Sequence, residues 1–149
     1  MLQRYCSDWS IKEIIQSDPV RPHIPAHLRN SPGHEVYGVG EGAAYCCISY
    51  CHRVPTNETE MFQSMIGPIA VAYTVWSSEK GYGRKMIFAI RDLMIESRQV
   101  DRLVTLSPKT EMAMKFHIGN GAILLAEHPD CNNFEYKLYE ESSTTIPFS

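Results

Sequence analysis

Gly81 and Gly83 stand two apart, with Lys80 before them and Arg84 and Lys85 behind, inside the stretch YTVWSSEKGYGRKMIFAI (residues 73–90). A β-branched and aromatic run gives way there to helical spacing. A helix start offers unpaired backbone N–H groups and the positive end of a dipole. Glycines let an anion approach that backbone closely, and the cations add to the field. The chemistry on offer is binding of an anion such as a diphosphate. The same residues also suit a plain left-handed turn with solvated cations, and the stretch alone leaves both readings open. Two familiar phosphate motifs do not fit. Walker A (GxxxxGK[ST]) is absent, and Gly81-Tyr82-Gly83 runs into Arg-Lys-Met rather than completing GxGxxG.

Other reactive types are less ordered. The five cysteines (Cys6, Cys46, Cys47, Cys51, Cys131) form no CxxC pair, and their odd count argues against a disulfide framework. Cys47, Cys51 and His52 could be imagined as metal ligands, but buried cysteines on a strand explain them better, so no metal is expected. Gly38 to Gly42 reads as a turn, because it leads into the strand-like AAYCCISY and not into a helix.

The elements that hold these residues follow from pattern. Ser10-Ile11-Lys12-Glu13 is a capping-box sequence, with Trp9 and Ile14 spaced as a hydrophobic staple, and the helix ends at Asp18-Pro19. Four prolines make residues 19–33 irregular. Residues 35–39 and 43–50 form a hairpin, residues 52–65 a polar loop, and residues 69–76 a third strand, apolar on both faces and therefore central. Met86, Ile87, Ile90, Leu93 and Met94 form an amphipathic helical stripe. Residues 102–106 form a buried strand. Ser107-Pro108 is expected to cap a helix reaching about Ile118. Strands at 122–126 and 134–139 flank the loop EHPDCNN, and the tail ESSTTIPFS is expected to fray. Met61, Met65, Met112 and Met114 are expected in the core rather than on a ligand surface.

At 149 residues the chain suits one domain, residues 1–149, with 44% hydrophobic and 21% charged residues as in ordinary globular proteins. A net charge of −3 gives no basic surface for nucleic acid, and no apolar run reaches the ~20 residues that span a bilayer. The N-terminus lacks a secretory pattern. A reducing cytoplasm is the expected location.

Together the stretches resemble the GNAT superfamily of acyl-CoA-dependent N-acetyltransferases. The family's loop motif, Gln/Arg-x-x-Gly-x-Gly/Ala, is similar to Ser78-Glu79-Lys80-Gly81-Tyr82-Gly83, with Ser78 in place of Gln or Arg. A second family segment, Asn-x-x-Ala-x-x-x-Tyr-x-x-x-Gly-Phe, resembles TEMAMKFHIGNGA from Thr110 to Ala122. Ala113 and Gly121 are kept, and Thr110, His117 and Ala122 are substitutions. The family loop follows a fourth strand, whereas only three are read here.

The resemblance implies an α/β (α+β) fold: a mixed, mostly antiparallel central sheet flanked by helices, with two central strands splayed apart. It implies acetyl-CoA as co-substrate and direct attack of an amine on the thioester. The pantetheine arm would pair with backbone near Tyr73 and Val75. Gly81, Tyr82, Gly83 and Arg84 would give N–H groups to the pyrophosphate, and Lys80, Arg84 or Lys85 would reach the 3′-phosphate. Ser78, Thr110, Ala113 and Phe116 fall at further cofactor-contact positions. His117 would supply a proton or hydrogen bond to the leaving thiolate, or else only pack against the cofactor. Glu58, Glu60, His23 and His27 are candidate bases acting through water. The acceptor, a small-molecule or protein amine, would meet the cationic residues 21–29 and the acidic residues 56–65. A homodimer would suit the small size and exposed sheet edges. An acyl-CoA-binding module without turnover is the competing class, kept alive by the substitutions at Ser78 and His117.

Overall fold

The structure is a computed structural model and describes residues 1–139. In chain order the elements are β1 (Gln3–Tyr5), α1 (Asp8–Ile14), α2 (Ala26–Arg29), β2 (His34–Val39), β3 (Ala44–Cys51), α3 (Glu58–Gln63), β4 (Ile69–Ser77), α4 (Tyr82–Ser97), β5 (Arg102–Thr105), β6 (Ser107–Pro108), α5 (Glu111–Gly119), β7 (Ile123–Glu127) and β8 (Cys131–Tyr136). They form one mixed sheet in the order β1-β2-β3-β4-β5-β8-β6, with β7 also paired to β8. Every pairing is antiparallel except β4 with β5.

Helices cover both faces. Met86, Ile87, Ile90 and Met94 of α4 pack with Ala70 and Ala72 of β4 and Phe134 of β8 on one face. Ile11, Ile24 and Met61 pack with Val71, Tyr73 and Trp76 on the other. Each such Ile, Met, Val or Phe side chain, taken fully out of water, contributes about 1.5–3 kcal/mol before entropy is charged against it. Strand β4 changes the face of its alternation at a bulge. Ala72 opposes Ile48 and Thr74 opposes Cys47, so Tyr73 has no partner in β3.

Several expectations are corrected. The unread strand is β1, three residues too short to show a periodic pattern, and it makes β4 the fourth strand. Helix α1 begins one turn early. Ser7 is the cap, its hydroxyl accepting the Ser10 N–H at 3.1 Å, and Trp9 is exposed, so there is no staple. The polar loop contains α3, which buries only Met61 and is capped by Asn57. Ser107-Pro108 does not cap α5; it is strand β6. The Ser107 hydroxyl donates to Thr105 Oγ1 at 2.7 Å, and Ser107 pairs with Asn132. Thr110 caps instead, accepting the Ala113 N–H at 3.1 Å. Strands β7 and β8 close the expected loop EHPDCNN down to residues 128–130. Met61 is buried as expected, but Met65 and Met112 are exposed. The tail ESSTTIPFS lies outside the described residues.

Candidate functional site

Strands β4 and β5 run parallel for four residue pairs, from Ile69 with Arg102 to Ala72 with Thr105. One further bond, Leu106 N–H to the Ala72 carbonyl at 3.1 Å, ends the ladder. The chain then turns toward β8, while β4 continues to Ser77. Between the diverging strands lies a cleft of about 300 Å³, floored by Tyr73, Val75 and Leu106 and walled by Pro108, Ala113, Phe116 and His117. Backbone groups alternate along a strand. Ser78 N–H donates to the carbonyl of Ala43, just before β3, at 2.9 Å, so Thr74 and Trp76 also face β3, while Tyr73, Val75 and Ser77 face the cleft.

At one end the cleft meets the start of α4. Gly81 caps that helix in the left-handed region, at φ +86°, which only glycine adopts without strain. A Cβ on Gly83 would lie 3.1 Å from the Phe116 ring, so this glycine is needed for close packing. The Tyr82 N–H is turned back onto the Glu79 carbonyl at 3.2 Å, whereas those of Gly83 and Arg84 have no backbone partner among the described residues. A second hollow of about 370 Å³ lies over them, bounded by Gly81, Arg84, Lys115 and Asn120, and it shares Ser77, Gly83 and Phe116 with the first. The two form one groove. Arg84 spans it, its Nη1 donating to the Gly119 carbonyl at 3.3 Å and to Asn120 Oδ1 at 3.2 Å.

His117 projects from α5 into the cleft wall and is buried against Phe116 and Phe134. Its Nδ1 lies 2.7 Å from the Tyr136 hydroxyl. Burial lowers its pKa to about 4, so the ring is neutral near pH 7, and burial raises Tyr136 to about 12, so the phenol keeps its proton. Where Tyr136 donates to Nδ1, the His117 proton sits on Nε2 and is available as a neutral hydrogen bond, not as an imidazolium.

The other end is built from buried charge. Arg21 donates from Nε to the Tyr73 carbonyl and from Nη2 to the Leu106 carbonyl, both at 2.7 Å, and from Nη1 to Glu58. It therefore stitches the strands together where they part. Arg29 pairs with Asp18 at 2.7 Å, and both side chains are wholly buried. Asp18 also accepts from Val20 N–H, Arg21 N–H and the Thr74 hydroxyl. His23 Nε2 lies 2.9 Å from both Glu58 oxygens. Glu60, by contrast, accepts the Thr56 N–H. The expected cationic patch at residues 21–29 is thus corrected: its arginines are buried and paired, Arg21 with Glu58 and Arg29 with Asp18. Burial pushes the Cys47 thiol up to about 11, leaving it no thiolate character.

Of the residues singled out in the sequence, Tyr73, Val75, Gly83, Thr110, Ala113, Phe116 and His117 line the cleft, and Gly81 and Arg84 line the second hollow. Ser78, Lys80 and Tyr82 line neither. The Ser78 N–H is spent on Ala43, and Tyr82 packs beneath Lys85, whose Nζ is 4.3 Å from its ring centroid. Sequence reasoning missed Lys115, Asn120 and Tyr136. Tyr136 lies 19 residues from His117, beyond any local signal. Among the described residues no group of three metal-ligating side chains converges, and no helix is long and apolar enough to cross a membrane.

No family model matches the sequence, nor does any curated protein. The fold is similar to that of solved structures. A protein of Desulfovibrio desulfuricans assigned to the GNAT acetyltransferase family superposes with TM-score 0.63 at 12% identity, covering 93% of this chain and 99% of that one. The PaiA N-acetyltransferase of Thermoplasma acidophilum, in complex with coenzyme A, gives 0.61 at 9% identity, covering 92% and 99%. Malonyl-CoA decarboxylase of Agrobacterium vitis gives 0.62 at 17% identity, covering 78% of this chain but only 35% of that enzyme. The fold is therefore that of the GNAT acetyltransferases.

Proposed function

We propose that the protein transfers an acetyl group from acetyl-CoA to a primary amine by direct attack on the thioester. The observation that carries this reading is the continuity of the groove: a splayed-strand cleft with free strand backbone runs into a glycine-bounded helix start. In this reading the backbone of Val75, with the Tyr73 N–H, holds the pantetheine arm, since Arg21 has already taken the Tyr73 carbonyl. One of these N–H groups polarises the thioester carbonyl as charge builds on its oxygen. Gly81, Gly83 and Arg84 give N–H groups to the pyrophosphate. Arg84 and Lys115 supply charge beside it, with Lys80 and Lys85 at the rim. Thr110 caps α5, and Ala113 and Phe116 present its apolar wall to the arm. His117 donates a neutral hydrogen bond from Nε2 to the departing sulfur.

A second reading is acyl-CoA binding without turnover, favoured by the neutrality of His117, which leaves no charged acid in the cleft. Isothermal titration with acetyl-CoA, of the wild type and of Gly81→Glu, comes first. The glutamate would strain the left-handed cap and place negative charge against the anion site. Micromolar binding by the wild type, lost in the variant, is the expected result; absence of wild-type binding overturns both readings. Acetyl transfer to a panel of primary amines then separates enzyme from binding module.

A further inference from the structure

We propose that His23 is the general base that removes the proton from the acceptor ammonium, with Glu58 as its orienting partner and Arg21 as the residue that fixes Glu58 to the floor of the cleft. The inference rests on the acyl-transfer reading above and names the residues that serve the amine.

The geometry forms a chain of contacts from the parting of the strands to solvent. The Tyr73 and Leu106 carbonyls mark that parting, and one guanidinium, only 6% exposed, binds both. Its remaining nitrogen, Nη1, binds Glu58 Oε2. Glu58, at 28% side-chain exposure, then meets His23, at 61%, with Nε2 within 2.9 Å of either carboxylate oxygen. A carboxylate that accepts Nε2–H fixes the tautomer, leaving Nδ1 as a lone-pair acceptor. Glu58 is held from two sides, so it orients the ring and does not move with it. The end of this chain lies on the α1, α2 and α3 face of the sheet, across from α4 and α5. Pro19 and Val20, the two residues before Arg21, line the cleft itself, and His23 follows three residues after Val20.

The protons balance without any further reactant. R–NH₃⁺ gives one proton through water to His23 Nδ1. The freed lone pair forms the C–N bond, the C–S bond breaks, and the second N–H proton goes to the leaving sulfur. His23 returns its proton to solvent. The charged groups that face His23 are Glu58 from α3 and Arg21 from its own segment, which shares that carboxylate. Behind Arg21 stand Asp18 and Arg29, paired with each other.

The test uses the full chain with acetyl-CoA and three acceptor probes: n-butylamine, spermidine and an Nα-acetylated lysine peptide. His23 is largely exposed and Glu58→Gln keeps its shape, so both variants should fold. His23→Gln is expected to leave acetyl-CoA affinity within about twofold and to lower kcat/KM for the amine by about 10- to 100-fold at pH 8, at or below the low end of general-base effects. The ratio of wild-type to variant rate cancels the amine's own ionisation. That ratio should fall toward one at acid pH, where a base that already holds a proton cannot take another. Glu58→Gln should lower kcat/KM for the amine while leaving acetyl-CoA affinity within about twofold, a split that loss of structure alone would not produce. A ratio that stays near one at every pH, with transfer intact, overturns the base and leaves the acetyltransferase reading standing. Acetyl-CoA binding without transfer to any of the three probes overturns both.

Discussion

The two ends of the groove are made of different material. At the glycine end the working groups are backbone N–H groups at the start of α4, with Arg84 and Lys115 exposed around them. At the arginine end four charged side chains, Asp18, Arg21, Arg29 and Glu58, are tied to one another and to strand carbonyls, and most of their surface is out of water. The first end can accept a charged guest because its donors are unspent. The second has spent its donors on the fold, and what it offers a ligand is shape and an orienting carboxylate. Changes of charge should therefore harm binding at the glycine end and stability at the arginine end.

The largest effect is expected at the arginine end. Arg29→Met leaves the Asp18 carboxylate buried without its cation, and breaking such a pair from one side costs about 3–5 kcal/mol. Urea denaturation should show the midpoint falling by that equivalent, close to the whole stability of a marginal domain. A loss below about 1 kcal/mol would mean that water reaches the pair and would erase the contrast between the two ends.

The same contrast explains what could be read from the sequence. The glycine end is local: Gly81, Gly83 and the stripe from Met86 to Met94 lie within fourteen positions of one another, and they are helix signals wherever the chain goes. The arginine end is non-local. Arg21 reaches Tyr73 and Leu106 across 52 and 85 positions, and nothing in residues 19–33 beyond proline content hints at those partners. Ser107-Pro108 failed as a cap for a related reason. It carries a strong local signal, but pairing with β8 took it into the sheet and left the weaker Thr110 to start α5. Beta-strand β1 and helix α3 went unread because each is short and buries little.

His117 crosses the division, since it lines the groove yet is buried like a core residue. Its folded pKa of about 4 lies below the ordinary 6.5 of an unfolded histidine. Below pH 6.5 the unfolded chain therefore binds the extra proton first, and stability falls with pH until about 4, below which both states are protonated. The loss amounts to about 3 kcal/mol. His34 is also lowered by burial and adds to the slope, so the informative quantity is the difference between the wild type and His117→Phe. The variant should have the flatter curve between pH 7 and pH 4. Parallel curves would mean that the imidazole is solvated and free to act as a charged acid.

Gly81→Ala tests whether the glycine end is as independent of the core as the comparison requires. An added Cβ there meets nothing within 4 Å, so the cost is the left-handed φ alone, about 1–2 kcal/mol. The stability read from urea denaturation should drop by that amount while acetyl-CoA affinity changes little. A larger fall in affinity than in stability would show that the methyl group itself blocks the anion.

The smallest expected effect is the sharpest about which cations belong to the groove. Lys80, Arg84 and Lys85 are the cations expected from the sequence, and of these Lys80 and Lys85 do not line the hollow over Gly83. Lys115 does, and its ion pair among the described residues is an exposed one to Glu111 at 3.7 Å. An exposed charge near a phosphate contributes about 0.5 kcal/mol, so Lys115→Ala should weaken acetyl-CoA binding two- to threefold, while Lys80→Ala stays near the wild-type value. Raising the salt to about 1 M, where the screening length falls to about 3 Å, should abolish the Lys115 effect. If Lys80→Ala proves the more damaging of the two, the bound anion lies further along the loop than the hollow, and the backbone donors of Gly83 and Arg84 are not its principal partners.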